Sequence, residues 1–125
     1  MRWLVDGMNV VGSRPTGWWR NRAAAMARLV EDLRAFARET GDPVCVVFDG
    51  RSRELLDSEP VEVAFAPGGR DAADDEIARR VQADERPEEI RVVTSDGALA
   101  ERVRASGAEV IGAGSFRNRL DDLAG

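Results

Sequence analysis

Asp6, Asp49 and Asp96 each close a short apolar run and each precede a glycine, in VDGMN, VVFDG and VVTSDG. Asp71, Asp74 and Asp75 stand together in DAADDEI, at the head of a helix-like run. One at a time, these acids have structural explanations. Asp96 and Asp71 suit helix N-caps. Asp74 suits the third helical position, where a carboxylate favours the helix dipole. Asp6 and Asp49 suit turns opened with a glycine. Sharing one crevice, they would be costly. Two carboxylates about 5 Å apart repel by roughly 3 kcal/mol at an effective dielectric of 20, and several such terms consume much of a small domain's stability. A divalent cation relieves that repulsion. Oxygen-only ligands select Mg2+ or Mn2+ over zinc, and an ion held this way can activate water for in-line attack on a phosphodiester.

For the acids to meet, the fold must deliver them to one edge. Strand-like and helix-like runs alternate along the chain. Strands are expected at Trp3–Val5, Val44–Phe48, Val61–Phe65, Ile90–Val93 and Ala108–Ile111. Val44–Phe48 is continuously apolar, as in a strand buried on both faces, whereas Val61–Phe65 alternates, as nearer a sheet edge. Met26, Leu29, Val30, Leu33, Phe36 and Ala37 recur at helical spacing and stop at Gly41 with Pro43 beyond. Further helices are expected from Asp71 through Val81, through Leu99 and Val103 to Gly107, and from Ser115 to Leu123. This order implies one domain, an α/β sandwich with a mainly parallel sheet. In such sheets ligands bind beyond the carboxyl ends of the strands, where strand order reverses. Asp6, Asp49 and Asp96, with Ser95 beside it, all fall there.

Composition narrows the chemistry. The 125 residues suit a single core, and apolar residues make up 43%. There is no histidine, tyrosine or lysine. This removes histidine acid–base pairs, Ser-His-Asp triads and histidine metal sites, and it removes the lysine of a P-loop. GAGSFR lacks the third glycine of a dinucleotide fingerprint. The net charge of −5 argues against coating nucleic acid with a basic surface. Cys45 is the single cysteine and lies in an apolar run, so a reducing cytoplasm is expected. The start reads as a strand rather than a signal peptide, and no apolar run is long enough to span a bilayer.

Between the first strand and the first long helix, positive charge gathers without acids. Arg14, Trp18, Trp19, Arg20 and Arg22 lie here, with Asn9 at the start. Arg51, Arg53 and Arg70 also follow strand ends. Arginine holds phosphates with its planar fork, and tryptophan stacks on unpaired bases. A tryptophan here can equally close the core beneath the loop.

With these residues in place, the chain resembles the YacP-like branch of the NYN-domain proteins, within the PIN-like ribonucleases. VDGMNVVG is similar to the family's DGYN opening, and VVFDG, VEVAF followed by AADDEI, and VVTSDGALAERV follow in the family's order, over roughly Arg2 to Leu123. The resemblance implies a PIN-like three-layer α/β/α sandwich and a metal-dependent endoribonuclease acting on single-stranded RNA. It implies catalytic roles for Asp6, Asp74 and Asp96, with Asn9, Asp49, Asp75 and Ser95 in support. Asp6, Asp49, Asp74, Asp75 and Asp96 would then hold Mg2+ or Mn2+. Met8 stands where the family commonly has tyrosine, so Trp18 or Trp19 would supply the missing aromatic contact. Members of the branch include a ribosome-associated mRNA endonuclease, which makes the ribosome a second expected partner; some continue into a longer basic C-terminal region. Two alternatives stay open: a non-catalytic RNA-binding module that keeps the acidic pocket, and a Mg2+-dependent phosphohydrolase of small substrates, against which DGMNVV lacks a second acid.

Overall fold

The alternation of side chains within the first strand organises both halves of the core. The computed structural model describes residues 1–52 and 57–124. β1 (Arg2–Asp6) turns Trp3 and Val5 to one side and Leu4 to the other, as a period of two requires. The first side is covered by α2 (Arg22–Thr40) and α5 (Ala113–Ala124), which contribute Met26, Leu29, Leu33, Phe36, Phe116 and Leu120. On the other side lie α3 (Ala72–Ala83) and α4 (Gly97–Ala105), with Ile77, Val81, Leu99 and Val103. Fully burying a side chain of this kind contributes about 1.5–3 kcal/mol, so the sheet is held from both faces.

The remaining strands are β2 (Val44–Asp49), β3 (Val61–Ala66), β4 (Ile90–Val93) and β5 (Glu109–Ile111). Their order is β3-β2-β1-β4-β5, and every pairing is parallel. The expected three-layer α/β/α arrangement is present, and the alternating third strand does lie at an edge. From β1 the chain builds outward through β2 and β3, then returns to place β4 on β1's other side. The switch point therefore lies between β1 and β4.

The α2 periodicity reads correctly from end to end. Asn21 caps it by accepting from the Ala24 amide at 3.1 Å, and Gly41 closes it in the left-handed region at φ 73°. A short helix, α1 (Gly7–Val11), follows directly on β1 where a loop was expected. Five residues cannot show a helical period. It is burial of Val10 in the core that holds this turn, against the weak helix propensity of two valines. The rest of that connection contains a single 3-10 turn, Trp18–Arg20.

Candidate active site

Asp6 is the last residue of β1 and is only 5% exposed; with Thr94 it is one of two buried polar side chains among the described residues. Its Oδ2 accepts a hydrogen bond from Thr94 Oγ1 at 2.9 Å. Burial pushes its pKa up to about 6; the charges of Asp74, Asp49 and Asp96 push the same way, and the Thr94 bond opposes them. Asp74, in the first turn of α3, is also raised, first by burial and then by Asp96, Asp49 and Asp71, while Arg102 lowers it. Asp6, Asp49, Asp74 and Asp96 thus share one electrostatic neighbourhood at the switch point. They come from β1, β2, α3 and the start of α4.

Each acid is held by local structure. Asp96 caps α4, its Oδ1 accepting from the Leu99 amide at 3.0 Å. The amide of Asp96 in turn donates to Thr94 Oγ1 at 3.1 Å, so one threonine hydroxyl joins Asp6 to the α4 cap. Asp71 occupies the N-cap position of α3 but makes no side-chain cap bond. The expected cap is supplied from elsewhere: Asp49 Oδ1 accepts from the Ala73 amide at 3.1 Å. Asp49 therefore ties the end of β2 to the helix turn that carries Asp74.

Asn9 and Ser95 act as braces. Asn9 Oδ1 accepts from the Ser95 amide at 2.8 Å, joining α1 to the β4–α4 connection. Ser95 Oγ accepts from the Ala113 amide at 2.8 Å and so caps the start of α5. Gly7 allows α1 to lie against β2, because a Cβ there would stand 2.5 Å from Phe48 Cδ1 and Cε1.

Other expected site residues lie outside this group. Asp75 is exposed, and Arg102 donates to its Oδ1 at 2.9 Å; one residue along the helix, it faces about 100° away from Asp74. Arg14 is bound to α5, with Asp121 at 2.8 Å and Asn118 as a further acceptor, and so is not a free cation in the loop. Trp18 is half-buried, and Trp19 is 57% exposed and packs edge-on to it at 6.1 Å. Arg20, Arg22, Arg51 and Arg70 are exposed. Arg53 falls outside the described residues. Thr94 escaped the sequence reading. Its signal was a hydroxyl two residues before a capping Asp, directly after an apolar strand.

The donor set is all oxygen, which fits Mg2+ or Mn2+. Among the described residues, however, no three acidic or thiol side chains are gathered closely enough to hold a metal ion between them. One oxygen each of Asp6, Asp49 and Asp96 is already engaged by protein donors, which leaves the other for a cation. Cys45 takes no part: burial, then Glu62, pushes its thiol up to about 12, which keeps it protonated and inert. A cavity of about 570 Å3 opens by Trp3, Val44 and Ile90, at the opposite ends of the strands from the acids. The carboxylates, not this cavity, mark the site.

A parallel sheet of this order between two helical layers, with acids delivered to its switch point, defines a PIN-like α/β domain. The family model of the YacP-like NYN domain matches residues 3–124, and the chain belongs to that family, whose members are PIN-like nucleases. Its structure is similar to two crystal structures of Rae1 (YacP) from Bacillus subtilis. One, of a mutant, has a TM-score of 0.82 at 26% identity and covers 99% of this chain and 77% of that one. The other has a TM-score of 0.81 at 26% identity, covering 99% and 75%. No curated protein matches the chain. Among the described residues no helix is long and apolar enough to cross a membrane.

Proposed function

We propose that this protein is a metal-dependent endoribonuclease that hydrolyses single-stranded RNA. The observation that carries the proposal is the convergence of Asp6, Asp49, Asp74 and Asp96, with Asp6 buried and its pKa pushed up to about 6. Family membership supports the same reading. Asp6, Asp74 and Asp96 are the catalytic acids, and Asp49 is a ligand that also fixes α3. Asn9 and Ser95 hold the surrounding loops in place. Mg2+ or Mn2+ bound here would supply water activation and neutralise charge on the phosphate. Because among the described residues no three acids are close enough to hold the ion by themselves, phosphate oxygens of the RNA and waters would complete its shell. Arg20, Arg22 and Arg51 hold the backbone and Trp19 stacks on a base. The lone inert thiol suits a reducing cytoplasm, and the ribosome is a proposed partner through the family resemblance.

The missing three-acid group also favours a second reading, a non-catalytic RNA-binding module. One experiment separates them. Unstructured RNAs are incubated with Mg2+, Mn2+ or chelator, using the native chain and Asp96→Asn. Internal cleavage that needs metal and is lost in the variant supports the nuclease. Binding without cleavage by the native chain supports the module.

A further inference from the structure

On the far side of α1 from the acids lies a groove of about 470 Å3. Asn9 reaches Ser95 on the crevice side of this helix, whereas Val10 and Val11 line the groove. A helix with its side chains is about 10 Å across, so the two sites stand roughly one helix apart, within reach of a single strand. Val10 and Leu29 supply an apolar floor, and half-buried Trp18 forms a wall. Four of the charged groups lining it are mutually satisfied, with Arg117 reaching Asp32 at 2.7 Å and Asp121 at 3.0 Å, and Arg14 reaching Asp121 at 2.8 Å. Arg28 lines the same groove, is exposed, and has no ion-pair partner among the described residues.

An apolar floor, one aromatic wall and a free planar donor match what a flat heteroaromatic ligand requires. We infer that this groove receives one unpaired base of the RNA, with Trp18 stacked on its face and Arg28 donating to its edge. The inference rests on the reading of the protein as an RNA-binding nuclease and adds base selection to it. A guanidinium fork matches a pair of adjacent acceptors, and among the bases guanine presents that pair as O6 and N7. The groove therefore favours guanine.

The test is binding in chelator, where no cleavage is needed. Seven-residue oligo(U) probes carry a central G, A, C, U or abasic position, and affinity is read by fluorescence anisotropy. The native chain binds the central-G probe at least about fivefold more tightly than the abasic one. Arg28→Ala removes the preference for G over U while retaining the native melting curve, because Arg28 is exposed. Trp18→Leu reduces the abasic penalty for every base. Equal affinity of the native chain for all five probes, or no binding to any, overturns the inference. So does an Arg28→Ala variant that keeps the preference for G. Metal-dependent cleavage of the same probes is measured separately. Cleavage without base preference removes the base pocket and leaves the nuclease; base preference without cleavage does the reverse.

Discussion

The hydroxyl of Thr94 donates to the buried carboxylate of Asp6 at 2.9 Å and accepts the amide of Asp96 at 3.1 Å. This one side chain couples two of the four clustered acids, although it carries no charge. In Thr94→Val the shape persists and the donor is lost. A buried group left unsatisfied costs about 1–3 kcal/mol, and stability should fall by that amount in urea unfolding. Thr94→Ser, which restores the donor, should recover most of it. RNA cleavage should follow the same pattern, and because the Thr94 bond holds the Asp6 pKa down, the acid limb of the rate profile should move to higher pH in Thr94→Val only.

Asp6 itself should destabilise the metal-free fold at neutral pH. Its folded-state pKa of about 6 lies above the ordinary 3.8, so the folded form holds its proton more tightly than the unfolded chain does. The stabilising contribution is then fully present below about pH 4 and is lost as pH rises through 6, a difference of about 3 kcal/mol by linkage. Asp6→Asn keeps an acceptor for Thr94 and removes the charge. In chelator at pH 7.5 it should melt several degrees above the native protein, and the gap should close near pH 4. A gap of constant size across that range would show that the carboxylate is not held in this way.

Much of this arrangement was legible in the chain because it follows simple periods. The spacing of Met26 to Ala37 gave α2 with its buried face, and apolar runs ending in Asp marked three strands whose carboxyl ends share one edge of the parallel sheet. What escaped depends on contacts distant in sequence. α1 is too short to show a period and is held by Val10 entering the core. Asp71 had the right position for a cap, yet Asp49, 24 residues away, makes the bond to Ala73. Asp74 and Asp75 were both expected to hold the metal, and the pairing of Asp75 with Arg102 on α4 was not visible in the string. Arg14 read as free because its partner Asp121 lies at the other end of the chain.

Gly7 should tolerate no side chain. The Cβ of an alanine would sit 2.5 Å from Phe48 and 3.0 Å from Val46 Cγ2, and Phe48 is fully buried. Overpacking of this kind costs about 1–3 kcal/mol. It would also push α1, with Asn9, away from the β4–α4 connection. Gly7→Ala should therefore lose stability in urea and lose cleavage by more than its unfolded fraction accounts for.

Metal should stabilise weakly alone and more strongly with substrate. A cation bound only by the folded state raises stability by mass action, by about 2.7 kcal/mol at a hundredfold excess over Kd. With no three-acid group preformed among the described residues, millimolar Mn2+ should raise Tm modestly, and a cleavage-resistant RNA should enlarge the shift. Asp6→Asn and Asp96→Asn should shrink both effects. Identical melting curves in Mn2+ and chelator, with and without that RNA, would rule out the metal-bound reading.

The exposed end of the Trp18–Arg20 turn should grip the RNA backbone. Arg20 and Arg22 are exposed, and Trp19 between the half-buried Trp18 and Arg20 is 57% exposed. Each phosphate contact on a single strand contributes about 0.7 to the slope of log affinity against log salt. The double change Arg20→Ala, Arg22→Ala should thus reduce the slope by about 1.4 and weaken binding to all sequences alike. Trp19→Ala should cost about 1–3 kcal/mol of single-strand affinity through lost stacking, with Tm nearly unchanged. Trp3 provides the contrast. It is 3% exposed, packs against Phe36 at 5.0 Å and donates from Nε1 to Asp42 at 3.0 Å, so Trp3→Ala should lower stability by about 3–5 kcal/mol. Affinity, salt slope and Tm measured on all three variants separate the surface role from the core role. An unchanged salt slope in the arginine pair would remove this turn from the RNA path.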